Sequence, residues 1–131
     1  MIVLSNVAAQ TIEPGQAAVF NEVVFKSGCA ECRNSGNGPV KIRCGLYDLQ
    51  YSANIGGAAG TQPNVALAID GVVLPETKAV VTATAATDVF NVHSVTKFFN
   101  RCGGAVVSLV NTGTTPVVVT ANPALIVKRE A

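Results

Sequence analysis

The chain is 131 residues long, 49% hydrophobic and only 13% charged, with nine basic and eight acidic residues for a net charge of +1. That balance argues against a protein that works by neutralising nucleic-acid phosphates, and no apolar run approaches the roughly 20 residues of a membrane helix. A mean hydropathy of +0.40 is high for a chain without such a span, so part of the apolar surplus is expected in a subunit interface.

The length suits one domain, residues 1–131, with a core of its own. Met1-Ile2-Val3-Leu4 carries neither a basic segment nor a long apolar stretch, so no secretory signal is expected and synthesis in a cytoplasm is. Residues 1–12 read as an opening strand closed by the turn signal Glu13-Pro14-Gly15. Residues 17–25 are apolar on both faces, Val19 and Val23 opposing Phe20 and Val24, as in a strand between two layers. Residues 27–38, SGCAECRNSGNG, have the composition of a loop, and 40–43 form a short strand. The longest alternating stretch follows at 45–55, GLYDLQYSANI. One face carries Tyr47, Leu49, Tyr51, Ala53 and Ile55, and the other Leu46, Asp48, Gln50, Ser52 and Asn54. That is a strand with one buried and one wetter face. Residues 56–63, GGAAGTQP, are a loop. Val65, Leu67 and Ile69 then alternate with alanines up to the hairpin signal Asp70-Gly71. The return strand at 72–74 is limited by Pro75, and 80–87 are a weak Ala/Thr-rich strand or loop. Residues 88–99 form a longer strand with Phe90 and Val92 on one face, and a phase slip near Ser94 predicts a bulge. A turn at 100–103, a strand at 105–110 and a turn at 111–113 follow. Strands at 116–121 and 124–128 flank Asn122-Pro123. No stretch sustains a 3.6-residue period, and regular turns between short Val/Thr-rich strands predict an all-β sandwich or barrel.

The order of several stretches carries a resemblance. They are AVFNEVVF (18–25), G-x-Y-x-L-x-Y-x-A (45–53), VALAIDGVV (65–73), the 88–99 strand, GAVVSLV (104–110) and PALIVKR (123–129). Together they resemble the jelly-roll heads of the tumour-necrosis-factor and complement-globular-head superfamily. Its bacterial and phage versions include the heads of collagen-like spore-surface proteins and phage head-fibre or decoration-like proteins. The resemblance implies a jelly-roll β-sandwich of about ten strands that assembles as a homotrimer through one apolar sheet face. It also implies a non-enzymatic structural or display protein of a virion or bacterial surface. Its partners would be itself, capsid or surface proteins, and glycans, without membrane insertion. The chain departs from the family in lacking a collagen-like Gly-x-y stalk and in carrying the Cys29/Cys32 loop.

The chemistry-bearing residues are few. Cys29-x-x-Cys32 has the spacing with which two thiolates reach one zinc ion. Cys102, Cys44 and His93 are the candidates to complete the set, and free thiols or disulfides are the other readings. Cys44 also reads as a small buried residue. His93, the only histidine, reads as a strand residue facing water or an interface. There is no G-x-S-x-G elbow, Gly-rich phosphate loop or H-E-x-x-H, and a cupin-like metal centre wants several histidines. Asp48 reads as a solvent-facing strand residue or, at a threefold axis, as a calcium ligand. Asp70 belongs to its turn. Lys26, Arg33, Lys41 and Arg43 read as protective edge charges or as an anion or glycan contact. Tyr47, Tyr51, Phe98 and Phe99 are candidates for trimer interface or core, with Phe98 and Phe99 on opposite faces. The candidate display loops are 27–38, 56–63 and 81–87. The alternative is a lectin-like or receptor-binding head with a specific, calcium-dependent ligand.

Overall fold

The longest alternating stretch forms the longest strand, and both sheets are arranged around it. The computed structural model describes residues 1–27, 31–33, 40–101 and 104–130, with 31–33 described by backbone alone. In chain order the strands are β1 (Ile2–Ser5), β2 (Gln10–Ile12), β3 (Glu22–Lys26), β4 (Glu31–Arg33), β5 (Val40–Ile42), β6 (Gly45–Gly56), β7 (Asn64–Ile69) and β8 (Val72–Val73). A 3-10 turn at Pro75–Thr77 is followed by β9 (Ala79–Val80), β10 (Phe90–Asn100), β11 (Ala105–Asn111), β12 (Val117–Val119) and β13 (Ala124–Arg129). Among the described residues no helix is long and apolar enough to cross a membrane.

Every strand pairing is antiparallel. β6 has β10 along one edge over its whole length, and β13 and β12 end to end along the other. β1 and β2 lie end to end beyond them, and β3 closes the far edge on β1. The second sheet runs β4, β5, β11, β7, with β8 and β9 end to end on the outer edge of β7. Among the described residues three lanes are thus interrupted strands, and the two sheets have five lanes each. This is the jelly-roll sandwich of ten strand positions expected from the sequence.

One core cluster fills the space between the sheets. Tyr47, Leu49, Tyr51, Ala53 and Ile55 of β6 meet Val65, Leu67 and Ile69 of β7 and Val107 and Leu109 of β11. Phe20, Ile2, Leu4, Leu125 and Val127 pack among them, with residues of β2, β5, β10 and β12. Thr77, fully buried, ties the 3-10 turn into that core. Its hydroxyl donates to the Leu74 carbonyl at 2.7 Å and accepts the Leu67 N–H at 2.9 Å. The Asp70-Gly71 hairpin forms with Asp70 at φ 51° and Gly71 at φ 83°. The Asp70 carboxylate accepts the Val106 N–H at 2.9 Å, so the side chain extends the sheet past its last strand pair.

Several expectations are corrected. Residues 1–12 are two strands, broken where the lane passes from β13 to β12. Residues 17–25 are not a sandwiched strand: β3 starts at Glu22, is exposed throughout and lies at a sheet edge. Its apolar appearance belonged to two environments, since Ala18 and Phe20 enter the core from non-strand backbone. The bulge near Ser94 is absent, because β10 pairs with β6 without a break from Phe90–Ile55 to Asn100–Gly45. The inward face of β10 changes from Phe90 and Val92 to Ser94 and Thr96, which imitates a slip in phase. Cys44 is exposed rather than buried, because it sits in the bend between β5 and β6.

Candidate functional site

The outward face of the long sheet collects what the alternation of its strands leaves outside. Strand register places Phe25, Val3, Ile126, Gln50 and Val95 opposite one another in a single row across β3, β1, β13, β6 and β10. Phe99 stands opposite Leu46 on the same face. Val95, Phe99 and Phe25 are 62%, 59% and 46% exposed. Among the described residues, five of the eleven exposed large hydrophobics, Val23, Val24, Phe25, Val95 and Phe99, lie on β3 and β10. Those are the two opposite edge strands of this one sheet, and the other six lie elsewhere in the molecule. Burying one such side chain fully contributes about 1.5–3 kcal/mol.

Between the row and Phe99 lies an ionic cluster. Lys97 Nζ is 3.2 Å from Asp48 and 2.6 Å from Glu130. Hydrogen bonding in this cluster, with the Glu130 side chain first and then Lys97, holds Asp48 below the usual carboxylate range. The same two carboxylates, Glu130 first, raise Lys97. The groups are solvated, so the cluster orients side chains more than it stabilises the fold.

The four aromatic candidates separate. Tyr47 and Tyr51 are in the sandwich core, Phe98 points inward and is partly buried against it, and Phe99 points outward. The Tyr51 hydroxyl donates to the Thr77 carbonyl at 2.6 Å, and burial pushes its pKa up to about 12. His93 is exposed on β10 opposite Ser52. Of the candidate zinc ligands, Cys29 and Cys102 and the side chain of Cys32 lie outside the described residues. Among the described residues no group of three His, Cys, Asp or Glu is placed to hold a metal ion.

Two of the candidate display loops are joined at one end of the sandwich. Gly60 N–H donates to Ala83 O at 2.7 Å, Ala83 N–H to Thr61 O at 3.0 Å, and Val81 N–H to Pro63 O at 3.0 Å, a short ladder between 56–63 and 81–87. Asp88 holds the second loop, accepting from Thr84 N–H at 3.1 Å, Thr84 Oγ1 at 2.8 Å and Ala85 N–H at 3.0 Å. Those bonds, the Thr84 hydroxyl foremost, keep its carboxyl below the usual range. The loop at 27–38 starts at the other end, where Ser27 N–H donates to Met1 O. Its residues 28–30 and 34–38 lie outside the described residues. The sequence reading placed the neighbouring turn after β11 at 111–113 but gave Asn111 no role in holding it. Asn111, 1% exposed, donates its amide to the Ile12 and Thr115 carbonyls, both at 2.8 Å, and accepts the Gly113 N–H at 2.9 Å. The turn signal Asn-Thr-Gly located this residue but not its distant partner Ile12.

No protein-family model and no curated protein matches the sequence. Solved structures match the fold. The Eiger TNF of S. frugiperda superposes with a TM-score of 0.71 at 9% identity, covering 99% of this chain and 91% of that one. The globular domain of zebrafish complement 1qA protein gives 0.65 at 12% identity over 98% of each chain. Murine APRIL, in its crystal structure at pH 8.5, gives 0.62 at 14% identity, covering 97% of this chain and 98% of that one. At such identities the likeness is one of fold, and the fold of this chain is the jelly roll of the TNF and complement globular heads.

Proposed function

We propose that this protein is a non-enzymatic, homotrimeric jelly-roll head, a structural or display component of a virion or bacterial surface. The observation that carries the reading is the row Phe25–Val3–Ile126–Gln50–Val95 on the outward face of the long sheet. A row that is apolar at four of its five positions and reaches from one edge strand to the other is costly to leave in water, and closing it in a ring of three copies buries each edge against the next protomer. Asp48, Lys97 and Glu130 supply a polar boundary to that contact. The fold shared with TNF and complement heads supports the number three, and the joined loops at 56–63 and 81–87 would then be presented three times, with avidity for a repeated surface.

The test is solution mass by light scattering on a size-exclusion column over a range of concentrations. The expected mass is that of three 13.4 kDa chains. Ile126→Glu and Val95→Glu should each yield folded monomer with an unchanged β-sheet circular dichroism spectrum. A wild-type monomer at every concentration, or variants that stay trimeric, would overturn the assembly reading.

A further inference from the structure

The loop end holds a cavity of about 470 Å³, lined by Gly60, Thr61, Gln62, Asn64 and the turn Thr112–Thr115. Its size lies within the roughly 300–1,000 Å³ of small-molecule sites. Its lining contains no ionisable, aromatic or large aliphatic side chain. The cations Arg43, Arg101, Lys128 and Arg129 belong to the far end of β6, by strand pairing or its immediate continuation. Asp70 stands past the opposite end of β7 from Asn64 and accepts the Val106 N–H, and Asp88 already accepts three hydrogen bonds within its own loop.

The walls are fixed before any ligand arrives. Thr112 N–H donates to the Asn64 carbonyl at 3.0 Å and the Thr112 hydroxyl to Asn64 Oδ1. The Thr61 hydroxyl donates to Ala58 O at 2.7 Å. Asn111 holds the turn from below. At Gly113 a Cβ would stand 3.1 Å from Asn64 Cβ, so a glycine lets the turn lie close against the Asn64 side chain, and Gly60 turns the first loop at φ +82°. What remains for a ligand are the Gln62 amide, the Thr114 and Thr115 hydroxyls and the amide nitrogen of Asn64. Each hydroxyl or carboxamide can donate and, except the Asn64 nitrogen, accept.

From this donor set we infer that the cavity is a binding site for a neutral saccharide unit. A charged ligand would lose hydration without a counter-charge. A planar heterocycle would find no ring to stack on, and an apolar ligand would bury hydroxyls and amides unpaired. A polyhydroxylated, uncharged ligand matches both donors and acceptors, and pre-fixed walls lower the ordering cost of binding it. The inference deepens the display reading proposed above, yet the site lies within one protomer and does not need the trimer.

The experiment is nuclear magnetic resonance titration of the intact, isotope-labelled protein. The probes are glucose, galactose, mannose, N-acetylglucosamine, N-acetylgalactosamine, lactose and maltose, with glycerol and glucuronate as controls. At least one neutral sugar should give saturable, millimolar shifts confined to residues 60–64 and 112–115. Glucuronate and glycerol should bind more weakly. The double variant Gln62→Ala, Thr114→Ala removes two side chains without internal partners and should weaken binding about tenfold, with the rest of the spectrum unchanged. Absence of saturable shifts with all seven sugars, shifts centred elsewhere, equal binding of glycerol, or an unaffected double variant would each overturn the site. Light scattering on the same samples reads the trimer separately, so a monomer that binds sugar refutes assembly alone, and a trimer that binds none refutes the cavity alone.

Discussion

The outward face of the long sheet and the loop end beside Asn111 are built by opposite means. The face is made of side chains that paired strands point outward, and its position follows from register. The loop end is made of backbone, held in place by side chains that bond to it: Asn111 to Ile12 and Thr115, and Asp88 to Thr84 and Ala85. The first region carries exposed valines and phenylalanines with an ionic cluster, and the second carries hydroxyls and amides around a cavity. A surface made by register can change its chemistry at one position without losing its shape. A surface made by tethered backbone loses its shape when one tether is cut.

That contrast can be broken by mutation, and the largest expected effect is at Asn111. Asn111→Ala leaves the Ile12 and Thr115 carbonyls and the Gly113 N–H without their partner in a buried place, which should cost about 3 kcal/mol in urea unfolding. It should also abolish saccharide shifts at 112–115, while the trimer mass persists. A cost near zero would mean that the turn holds itself. Tyr51→Phe removes the donor to the Thr77 carbonyl inside the core and should cost about 1–2 kcal/mol, with neither surface affected.

The same tyrosine predicts an alkaline effect. Its pKa is about 12 in the fold against the ordinary 10.0, so above pH 10 the unfolded chain sheds the proton first. Stability should therefore fall between pH 10 and about 12, and Tyr51→Phe should flatten that part of the profile in urea midpoints measured stepwise. In acid the loop end should respond through Asp88. Its carboxyl is depressed in the fold, so its contribution is present above the ordinary carboxylate range and is lost as the pH falls through its folded value. Amide exchange at 84–88 should accelerate there before it does in β6. Uniform acceleration along the chain would show that Asp88 does not act locally. The smallest effect is expected at Lys97→Ala: no resolvable change in the unfolding midpoint, because the cluster is solvated, but a weaker salt dependence of trimer dissociation.

Much of the frame was legible. The alternation in 45–55 marks both faces of β6, and the five residues assigned to one face are all buried. Asp70-Gly71 marks its hairpin because few residues tolerate positive φ. The edge position of β3 was not legible, because an apolar run reads alike in a central strand and in an exposed edge strand. Nor was the partition of Tyr47, Tyr51, Phe98 and Phe99: alternation pairs residues on a face but does not say whether the second sheet or water lies beyond it. The row Phe25–Val3–Ile126–Gln50–Val95 draws on five separate stretches of chain and exists only once their register is known.

The order of strands and turns, the periodicity of β6 and β7, and the low charge density belong to the sequence alone, because local sterics and side-chain alternation act within a few residues. The tertiary structure decided which face of the long sheet stays outside, which loops meet at one end, and that Asn111 reaches Ile12 across the sandwich. Those features arise from pairings between residues far apart in the chain, and only closure of the two sheets on one core selects among them.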